Sequence, residues 1–478
     1  MRFRFSPGRG PAVGASCMVA TSQPTATLAG LAVLGKGGNA VDAAIAAAAC
    51  LWVAEPMSTG IGGDGFALVF AGGAVHALDA GGAAPASAPA RPVATEGARS
   101  VVVPAVLAGW AELSRRFGRL GLDACLAPAV DLATRGVAAG YHCATAWAAS
   151  SRAPAGLGRA PRVGEVFTIP GLAGTLRAVA EGGPPALYGG RIAEAIVAAS
   201  WLEPGDLAAV APRWVPPLQL RYRGVDVVEL PPPTQGVAAL EALGLLEALG
   251  PARPDRLVRA VALALEDARA AVRDGAEVAG LLEPGYLAER AQATPRLRGE
   301  LAGGTVYLCT LDGDGMAVSL IQSLYDGFGS GVLVPGTGIV LNDRAACFAV
   351  QGAVEGGRRP YHTTIPGMLV DGDRLVGPFG VMGGFLQAQA HAQLVSAVVD
   401  DGLDPQAALD RPRFRLEDGA VHLEEGLWEA APSYVPAGAA VVLDDHRAGF
   451  GGGQMIQVVD GRILGGSDPR KDGFAAGD

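Results

Sequence analysis

The chain has 478 residues, of which 50% are hydrophobic and 18% are charged, and its formal net charge at pH 7 is −10. This composition permits a large buried core and excludes disorder as the default expectation. The negative charge, with no patch dense in Lys and Arg to offset it, argues against a nucleic-acid partner. The longest apolar run, residues 43–54, is too short to span a bilayer, so no membrane partner is expected.

The cysteines and histidines show no ligand pattern. The six cysteines form neither a CxxC motif nor close pairs, which is typical of reduced, mostly buried thiols and predicts a cytoplasmic protein. The six histidines show no HExxH-type spacing, so a zinc site is not expected. The sequence therefore predicts neither a metal ion nor an organic cofactor.

The first part of the chain is rich in helical patterns. Two alanine-rich helices come first, and Asn39 is the predicted cap of the second, with Asp42 in its first turn where the helix dipole favours a negative charge. The predicted helices are 25–36, 39–53, one that ends at 117, 123–135, 237–249 and 254–274, and the predicted strands are 66–70, 75–78 and 225–230.

A glycine-rich loop follows the second helix. It formally contains G-x-G-x-x-G at Gly60, Gly62 and Gly65. The dinucleotide-binding fingerprint requires the order strand, loop, helix, whereas this loop follows a helix and precedes a strand. We therefore interpret it as a tight structural turn.

The second part of the chain is rich in strands. Residues 305–311 and 316–321 are β-rich runs on either side of the turn formers 312–315, and this pattern predicts a hairpin. A helix is predicted at 386–399, and extended segments at 338–341, 367–370, 421–424, 440–443 and a hairpin within 454–464. Helices first and strands later indicate an α/β (α+β) sheet sandwich flanked by helices.

Thr305 stands at the start of the first hairpin, directly after Gly303 and Gly304. If the backbone is strained there, the Thr305 hydroxyl can attack the Gly304 carbonyl, and hydrolysis of the resulting ester frees a new α-amine. Such an amine has a pKa of about 8, against about 10.4 for lysine, so it can act as a base near neutral pH. A threonine paired with its own N-terminal amine is an established activated nucleophile. An ordinary β-branched strand residue is the alternative that the spacing leaves open.

Other nucleophiles find less support. The sequence contains no G-x-S-x-G motif, so the usual signature of a hydrolase-fold serine triad is missing. Each histidine stands alone and is more often a surface or a core residue than a catalyst.

Longer motifs extend the pattern around Thr305. In the second part they are TVYLCTLDGDGMAVSLIQS from residue 305, FGSG at 328–331, VPGTGIVLN at 334–342, RPYHTTIP at 359–366, MGG at 382–384 and GGSDPR at 465–470. In the first part they are GGNAVDAAIAAAA at 37–49, EPMSTGIGGDGF at 55–66 and PPPTQG at 231–236. Together they resemble the small and large subunits of the γ-glutamyltransferase (γ-glutamyltranspeptidase) family, in order and over nearly the whole chain.

This resemblance implies an N-terminal-nucleophile hydrolase with a four-layer αββα fold, whose precursor cuts itself. Residues 1–304 would form the large-subunit region and residues 305–478 the small-subunit region of one compact unit. By position, Thr305 is the implied nucleophile, and Ser323 is the hydroxyl residue that helps to position it. Gly383 and Gly384 fall on the family's oxyanion-hole glycines, whose backbone N–H groups stabilise developing charge.

The implied substrate pocket departs from the family pattern. The family's carboxylate-binding arginine falls at Ala90, with Arg91 one residue further on, and Cys347 replaces the aspartate that pairs with the substrate ammonium. The serine pair becomes His362 and Thr363. Tyr325 replaces an asparagine. A cysteine supplies no fixed negative charge, and the loss of a bidentate arginine removes a strong carboxylate clamp.

Arg91 can still reach the pocket if its loop shifts by one residue, and His362 can donate to an acyl oxygen. We therefore expect the acyl-transfer chemistry to be retained, but we do not expect the pocket to hold a zwitterionic glutamyl head in the family's manner.

The sequence thus predicts a self-processing enzyme that transfers an acyl group from a small amide, through acyl-Thr305, to water or an amine. Two alternatives remain within enzymes, an acylase for glutaryl or β-lactam substrates and an oxamate-like amidohydrolase. A third alternative is a non-catalytic relative that binds a ligand without turnover. A homodimer of processed heterodimers is compatible with the resemblance.

Overall fold

The computed structural model describes residues 9–297, 303–435 and 439–478, and of Arg447 it describes only the backbone. In these ranges the helices are α1 (Pro24–Gly35), α2 (Ala40–Ala54), α3 (Val106–Phe117), α4 (Leu122–Arg135), α5 (Tyr141–Ala149), α6 (Leu172–Gly182), α7 (Pro184–Tyr188), α8 (Gly190–Ala199), α9 (Pro204–Ala208), α10 (Gly236–Leu249), α11 (Pro254–Ala271), α12 (Pro284–Arg290), α13 (Leu386–Val399), α14 (Pro405–Asp410) and α15 (Ala431–Tyr434). Short 3₁₀ helices span Ala98–Ser100, Ala155–Leu157, Ala279–Leu282, Arg344–Val350, Glu425–Ala430 and Arg447–Phe450.

The strands form two large sheets and two small ones. They are β1 (Ala12–Gly14), β2 (Met18–Thr21), β3 (Asp64–Ala71), β4 (Ala74–Ala80), β5 (Val137–Ala138), β6 (Val166–Phe167), β7 (Arg213–Val215), β8 (Leu218–Tyr222), β9 (Val225–Glu229), β10 (Gly304–Leu311), β11 (Ala317–Tyr325), β12 (Gly367–Asp371), β13 (Arg374–Met382), β14 (Phe414–Glu417), β15 (Ala420–Glu424), β16 (Ala440–Asp444), β17 (Gly452–Val459), β18 (Arg462–Ser467) and β19 (Phe474–Gly477).

The two large sheets each have seven strands. One has the order β1-β18-β17-β13-β12-β9-β8 and the other the order β19-β2-β10-β11-β3-β4-β7. Neighbouring strands are antiparallel throughout both sheets. We call the first the β13 sheet and the second the β10 sheet. Strands β14, β15 and β16 form a separate small sheet.

Alternating side chains of β10 divide the core into layers. Val306 and Leu308 pack with helices α1 to α4, whereas Tyr307 and Cys309 pack against the β13 sheet. On its far side the β13 sheet is covered by α10, α11 and α13. The order helices, β10 sheet, β13 sheet, helices confirms the predicted four-layer αββα sandwich.

Helix α2 is buried along its whole length and begins as predicted. The Asn39 side chain accepts hydrogen bonds from the backbone N–H groups of Val41 and Asp42, and the Asp42 carboxylate accepts from the Asn39 N–H, which completes a capping box. Thr310 of the facing strand β10 is also buried, and its hydroxyl donates to the carbonyl of Ala40. This helix therefore fixes the β10 sheet from behind.

One predicted element is absent from the structure, one ends earlier than predicted, and several observed helices and strands were not predicted. Residues 338–341 are not a strand, because Gly336 and Gly338 both have φ +73° and the chain turns there, leaving a single bridge between Leu333 and Val340. Helices α6 to α9 were not predicted. In addition, α11 ends at Ala271 rather than at 274. Within the described residues, every helix is too short or too polar to cross a membrane.

Candidate active site

Thr305 lies in the space between the two large sheets, where β10 begins. It is 3% exposed, and its register partner on β11 is Ser323. The Thr305 and Ser323 hydroxyl oxygens are 3.0 Å apart. The hairpin predicted from the sequence therefore brings these two hydroxyl groups together, 18 residues apart in the chain.

Ser323 contacts both sides of the Gly304–Thr305 peptide bond. Its hydroxyl donates to the Gly304 carbonyl oxygen at 2.8 Å, and its oxygen accepts the backbone N–H of Tyr325 at 2.8 Å. A serine has a single hydrogen to donate, and here that hydrogen is engaged by Gly304. When Ser323 donates to Gly304, Thr305 donates its own hydrogen to Ser323, which increases the electron density on the Thr305 oxygen.

The strand pairing is irregular at the same peptide bond. Gly304 pairs with Tyr325 and Thr305 pairs with Ser323, so Leu324 is an extra residue in a β-bulge. Tyr325 has φ +86°, an unfavourable conformation for a residue with a side chain. A Cβ on Gly304 would lie 2.9 Å from the carbonyl oxygens of both Met57 and Asp326. The bulge therefore stores strain beside a glycine that no larger residue could replace without a shift.

Gly383 and Gly384 follow the end of β13 and lie beside Gly303. Their φ values of +137° and +61° favour glycine. A Cβ on Gly303 would lie 2.6 Å from the Gly384 nitrogen. In the uncut chain, Gly303 thus lies close to the Gly384 nitrogen. Gln235 fixes this turn from behind by donating to the Gly384 carbonyl at 3.2 Å.

Four predicted pocket residues lie together around the buried guanidinium of Arg344. They are Tyr325, Cys347, His362 and Thr363. The guanidinium carbon lies 4.7 Å from the centre of the Tyr325 ring, and Nη1 lies 3.2 Å from Thr363 Oγ1 and 3.8 Å from Cys347 Sγ. His362 is fully buried beside Asp64, with Nδ1 4.0 Å from the carboxylate oxygen Oδ2.

Burial keeps most of these groups neutral. It raises the pKa of the Cys347 thiol to about 11, although the Arg344 charge opposes the shift, and it lowers the pKa of His362 well below its usual value. Burial also raises the pKa of the Tyr325 hydroxyl. Arg344 retains its charge, and its Nε donates to Asp64 Oδ2 at 3.0 Å.

The family model described as gamma-glutamyltranspeptidase matches residues 26–478 of this chain. The chain belongs to the γ-glutamyltranspeptidase family. The resemblance inferred from the sequence motifs is therefore confirmed. The chain is an enzyme of this family's amidohydrolase and acyltransferase class, and its sandwich is that of the N-terminal-nucleophile hydrolases.

Three relatives of the γ-glutamyltranspeptidase family cover nearly the whole chain. The oxamate amidohydrolase proenzyme of Klebsiella pneumoniae subsp. pneumoniae is 34% identical, over 95% of this chain and 96% of that protein. The acylase ACY 1 proenzyme of Pseudomonas sp. (strain V22) is 31% identical, over 98% of this chain and 95% of that protein. The crystal structure of cephalosporin acylase from Bacillus halodurans has a TM-score of 0.92 and 39% identity, covering 100% of this chain and 98% of that chain.

The structure does not bring Arg91 to the predicted pocket. Arg91 is exposed in a loop and makes no hydrogen bond or ion pair with the residues that the structure describes. The neighbouring Ala90 carbonyl accepts the N–H of Val354 at 2.9 Å.

Sequence reasoning missed the charge at the centre of the pocket. Arg344 and Asp64 are fully buried and paired, although 280 residues separate them in the chain. Asp64 lies in the glycine-rich loop that we had interpreted as a structural turn. The sequence offered only two features that point to this pair. Asp64 is an acidic residue within a glycine-rich loop, and Arg344 is a lone arginine after Asn342 and Asp343.

Among residues 9–297, 303–435 and 439–478, no three His, Cys, Asp or Glu side chains lie close enough to hold a metal ion. The six cysteines carry no disulfide, and five of them are buried.

Proposed function

We propose that the chain cuts itself between Gly304 and Thr305. The Thr305 oxygen attacks the Gly304 carbonyl carbon, the C–N bond breaks, and an ester joins Gly304 to the Thr305 oxygen while the α-amine becomes free. Water then hydrolyses the ester. One observation carries this proposal, namely that Ser323 hydrogen-bonds both the Thr305 hydroxyl and the Gly304 carbonyl oxygen. Ser323 can therefore pass its own hydrogen to the developing oxyanion at Gly304 while it takes the hydroxyl hydrogen of Thr305, and a proton then moves from the Gly304 oxygen to the nitrogen of Thr305 as the C–N bond breaks.

We propose further that the freed Thr305 is the nucleophile of turnover. Its α-amine takes the hydroxyl proton, the oxygen attacks the substrate amide carbon, and the proton passes to the departing amine. The acyl-Thr305 ester is then attacked by water or by a second amine, whose proton goes to the α-amine and then to the leaving Thr305 oxygen. Each cycle returns the hydroxyl and the amine to their starting states.

In this scheme the N–H groups of Gly383 and Gly384 stabilise the tetrahedral intermediate. Support comes from the position of Gly303, which lies close to the Gly384 nitrogen in the uncut chain. Cleavage would allow Gly303 to leave and a substrate acyl group to take its place. The same N–H groups would then be available at every turnover.

The acyl donor that we propose is a small amide. The names of the relatives support a donor other than a γ-glutamyl compound, since they are an oxamate amidohydrolase, an acylase and a cephalosporin acylase. Support also comes from the pocket, where Cys347 stands in the position of the family's ammonium-binding aspartate and burial keeps its thiol neutral.

Self-cleavage is tested on a denaturing gel with sequencing of the new N-terminus. We expect fragments of 304 and 174 residues, which together make up the 478-residue chain, with Thr305 first in the smaller one. Thr305→Ala should stay whole, and Thr305→Ser, the matched control, should be cut because it keeps a hydroxyl. Cleavage at another bond, or amidase activity that survives Thr305→Ala, would contradict the proposal.

We also propose a cytoplasmic location and a homodimer of processed heterodimers. The free, mostly buried thiols support the first, since such thiols are typical of reducing compartments. Cell fractionation tests the location. Light scattering on the cut protein tests the assembly, and a mass of one 478-residue unit would contradict a dimer.

A further inference from the structure

Arg344 is an unusual charge for a protein core. It is fully buried, and its three nitrogens are not used equally. Nε pairs with Asp64, and Nη1 donates to Thr363 Oγ1, but Nη2 has no hydrogen-bond partner among the residues that the structure describes. A buried guanidinium normally satisfies all of its donors, because each unpaired one retains its full desolvation cost. Nη2 is therefore a donor to which the described protein offers no acceptor.

Two contacts link this unpaired donor to the reacting bond. The guanidinium stacks over the ring of Tyr325, and Tyr325 is the ladder partner of Gly304. On the other side, Thr363 accepts from Arg344 through its hydroxyl and from Gln235 through its carbonyl oxygen. The same Gln235 nitrogen donates to the Gly384 carbonyl.

The surroundings of the guanidinium leave room for one more negative charge. Asp64 is its only carboxylate partner in the described part of the chain, and one Asp64 oxygen already accepts the Gly82 N–H at 2.9 Å. Cys347 and His362 stay neutral because they are buried. Both ring nitrogens of His362 also lack a hydrogen-bond partner among the described residues. Among the described residues, the guanidinium thus has one free donor group, Nη2, and a single carboxylate in ion-pair contact.

We propose that Arg344 is the carboxylate-binding residue of this enzyme, and that its acyl donor is the monoamide of a dicarboxylic acid without an α-ammonium group. The substrate carboxylate would accept from Arg344 Nη2 while the amide carbon lies against Thr305. An ammonium on the acyl chain would be repelled by the guanidinium and would find a thiol at Cys347 instead of a carboxylate. This inference rests on the proposed function, because it assigns the acyl group that reaches Thr305.

The test in the wild-type enzyme uses matched p-nitroanilides that differ by one group. Glutaryl-p-nitroanilide has the carboxylate alone, its methyl ester lacks the charge, and γ-glutamyl-p-nitroanilide adds the ammonium. We expect kcat/KM for the glutaryl compound to exceed that for each of the others by about 100-fold, since removing one partner of a buried charged pair has effects of this order. Oxalyl, malonyl and succinyl anilides in the same series identify the preferred chain length.

The variant that tests the residue is Arg344→Gln. We expect it to lose the preference for the charged donor, measured as the ratio of kcat/KM for the glutaryl compound to kcat/KM for its ester, whereas Arg344→Lys should recover part of this preference. The single variant leaves the Asp64 carboxylate buried without its partner and can therefore fail to fold. In that case the double variant Asp64→Asn with Arg344→Gln, which removes both charges, is used instead. The matched control is Arg290→Gln, which also removes an arginine paired with carboxylates, Glu266 and Asp267, but in the outer helix layer.

A direct binding measurement covers the case in which the chosen anilides are poor substrates. Calorimetry with glutarate and succinate on the cut enzyme should show binding that Arg344→Gln abolishes, and glutarate should bind more tightly than glutamate.

The inference and the proposed function fail in different ways. A chain that stays whole, or activity that survives Thr305→Ala, contradicts the function. A chain that cuts and turns over the esters or γ-glutamyl compounds as well as the glutaryl compound contradicts the role of Arg344. So does dicarboxylate binding that Arg344→Gln leaves unchanged.

Discussion

The backbone N–H of Tyr325 donates to the hydroxyl oxygen of Ser323, two residues before it, at 2.8 Å. This contact exists because the bulge at Leu324 turns the Tyr325 N–H back toward the Ser323 side chain. It helps to fix the Ser323 rotamer in which the hydroxyl group lies 2.8 Å from the Gly304 carbonyl oxygen. The strained bulge thus also helps to set the position of the Ser323 hydroxyl.

Ser323→Ala should slow self-cleavage by about 100- to 1,000-fold, because loss of one oxyanion donor typically has an effect of that size. The carbonyl of Gly304 and the N–H of Tyr325 would both lose their partner. The rate of fragment formation after purification of the uncut chain measures the effect. Ser323→Thr keeps the hydroxyl and is the matched control, and cleavage of Ser323→Ala at the wild-type rate would show that Ser323 is only a structural residue.

Gly303→Ala should separate processing from turnover. The added Cβ would lie 2.6 Å from the Gly384 nitrogen in the uncut chain, so the reacting geometry must shift, and we expect cleavage to slow at least about tenfold. Once cut, residue 303 is the penultimate residue of the first fragment and can leave Gly384. Amidase activity per sequenced Thr305 terminus should then equal that of the wild type. Reduced activity per terminus would mean that residue 303 stays in the site.

Asn39→Ala should lower the free energy of unfolding by about 1–2 kcal/mol, because it removes the acceptor for two N–H groups at the start of α2. Denaturant unfolding of the uncut Thr305→Ala chain measures this loss without subunit dissociation. Asn39→Asp keeps the acceptor and loses only the donor to the Phe117 carbonyl, so it should cost less. Equal losses in the two variants would assign the stability to Phe117 rather than to the cap.

Glu55 should make stability depend on pH. It is fully buried directly after the last residue of α2, and burial raises its pKa to about 7. Between about pH 4.5 and about pH 7 the folded chain therefore holds a proton that the unfolded chain has lost. The free energy of unfolding should fall by about 3 kcal/mol as the pH rises through this range.

The control for this prediction is Glu55→Gln, which is neutral at every pH. Unfolding curves of the Thr305→Ala chain, with and without Glu55→Gln, should differ in slope below about pH 7 and run parallel above it. Parallel curves over the whole range would mean that Glu55 is ionised in the folded chain.

Local patterns predicted the elements on which the site is built. The β10–β11 hairpin followed from alternation and a turn of Gly and Asp residues, and the start of α2 followed from Asn39 and Asp42. These features depend on residues close together in the chain. The bulge at Leu324 could not be predicted in this way, because it needs Ser58, whose carbonyl accepts the Leu324 N–H.

The buried pair of Arg344 and Asp64 could not be predicted from local patterns either, because it depends on residues far apart in the chain. The environment of Arg344 is made by a loop before β3, by Tyr325 at the end of β11 and by Thr363 before β12. Helices α6 to α9 were missed because glycine and proline interrupt a weak apolar pattern at Gly182, Gly183 and Pro184. The roles of the individual site residues remain predictions.

The strand order of the β10 sheet has a mechanical consequence. Strand β2 comes before the Gly304–Thr305 bond in the chain, but in the sheet it lies between β19 and β10, which belong to the second part of the chain. The β13 sheet likewise contains strands from both parts of the chain. After cleavage, each of the two large sheets would therefore contain strands from both polypeptides. The two fragments could not dissociate or exchange unless both sheets unfolded. The two fragments of one precursor would therefore stay together.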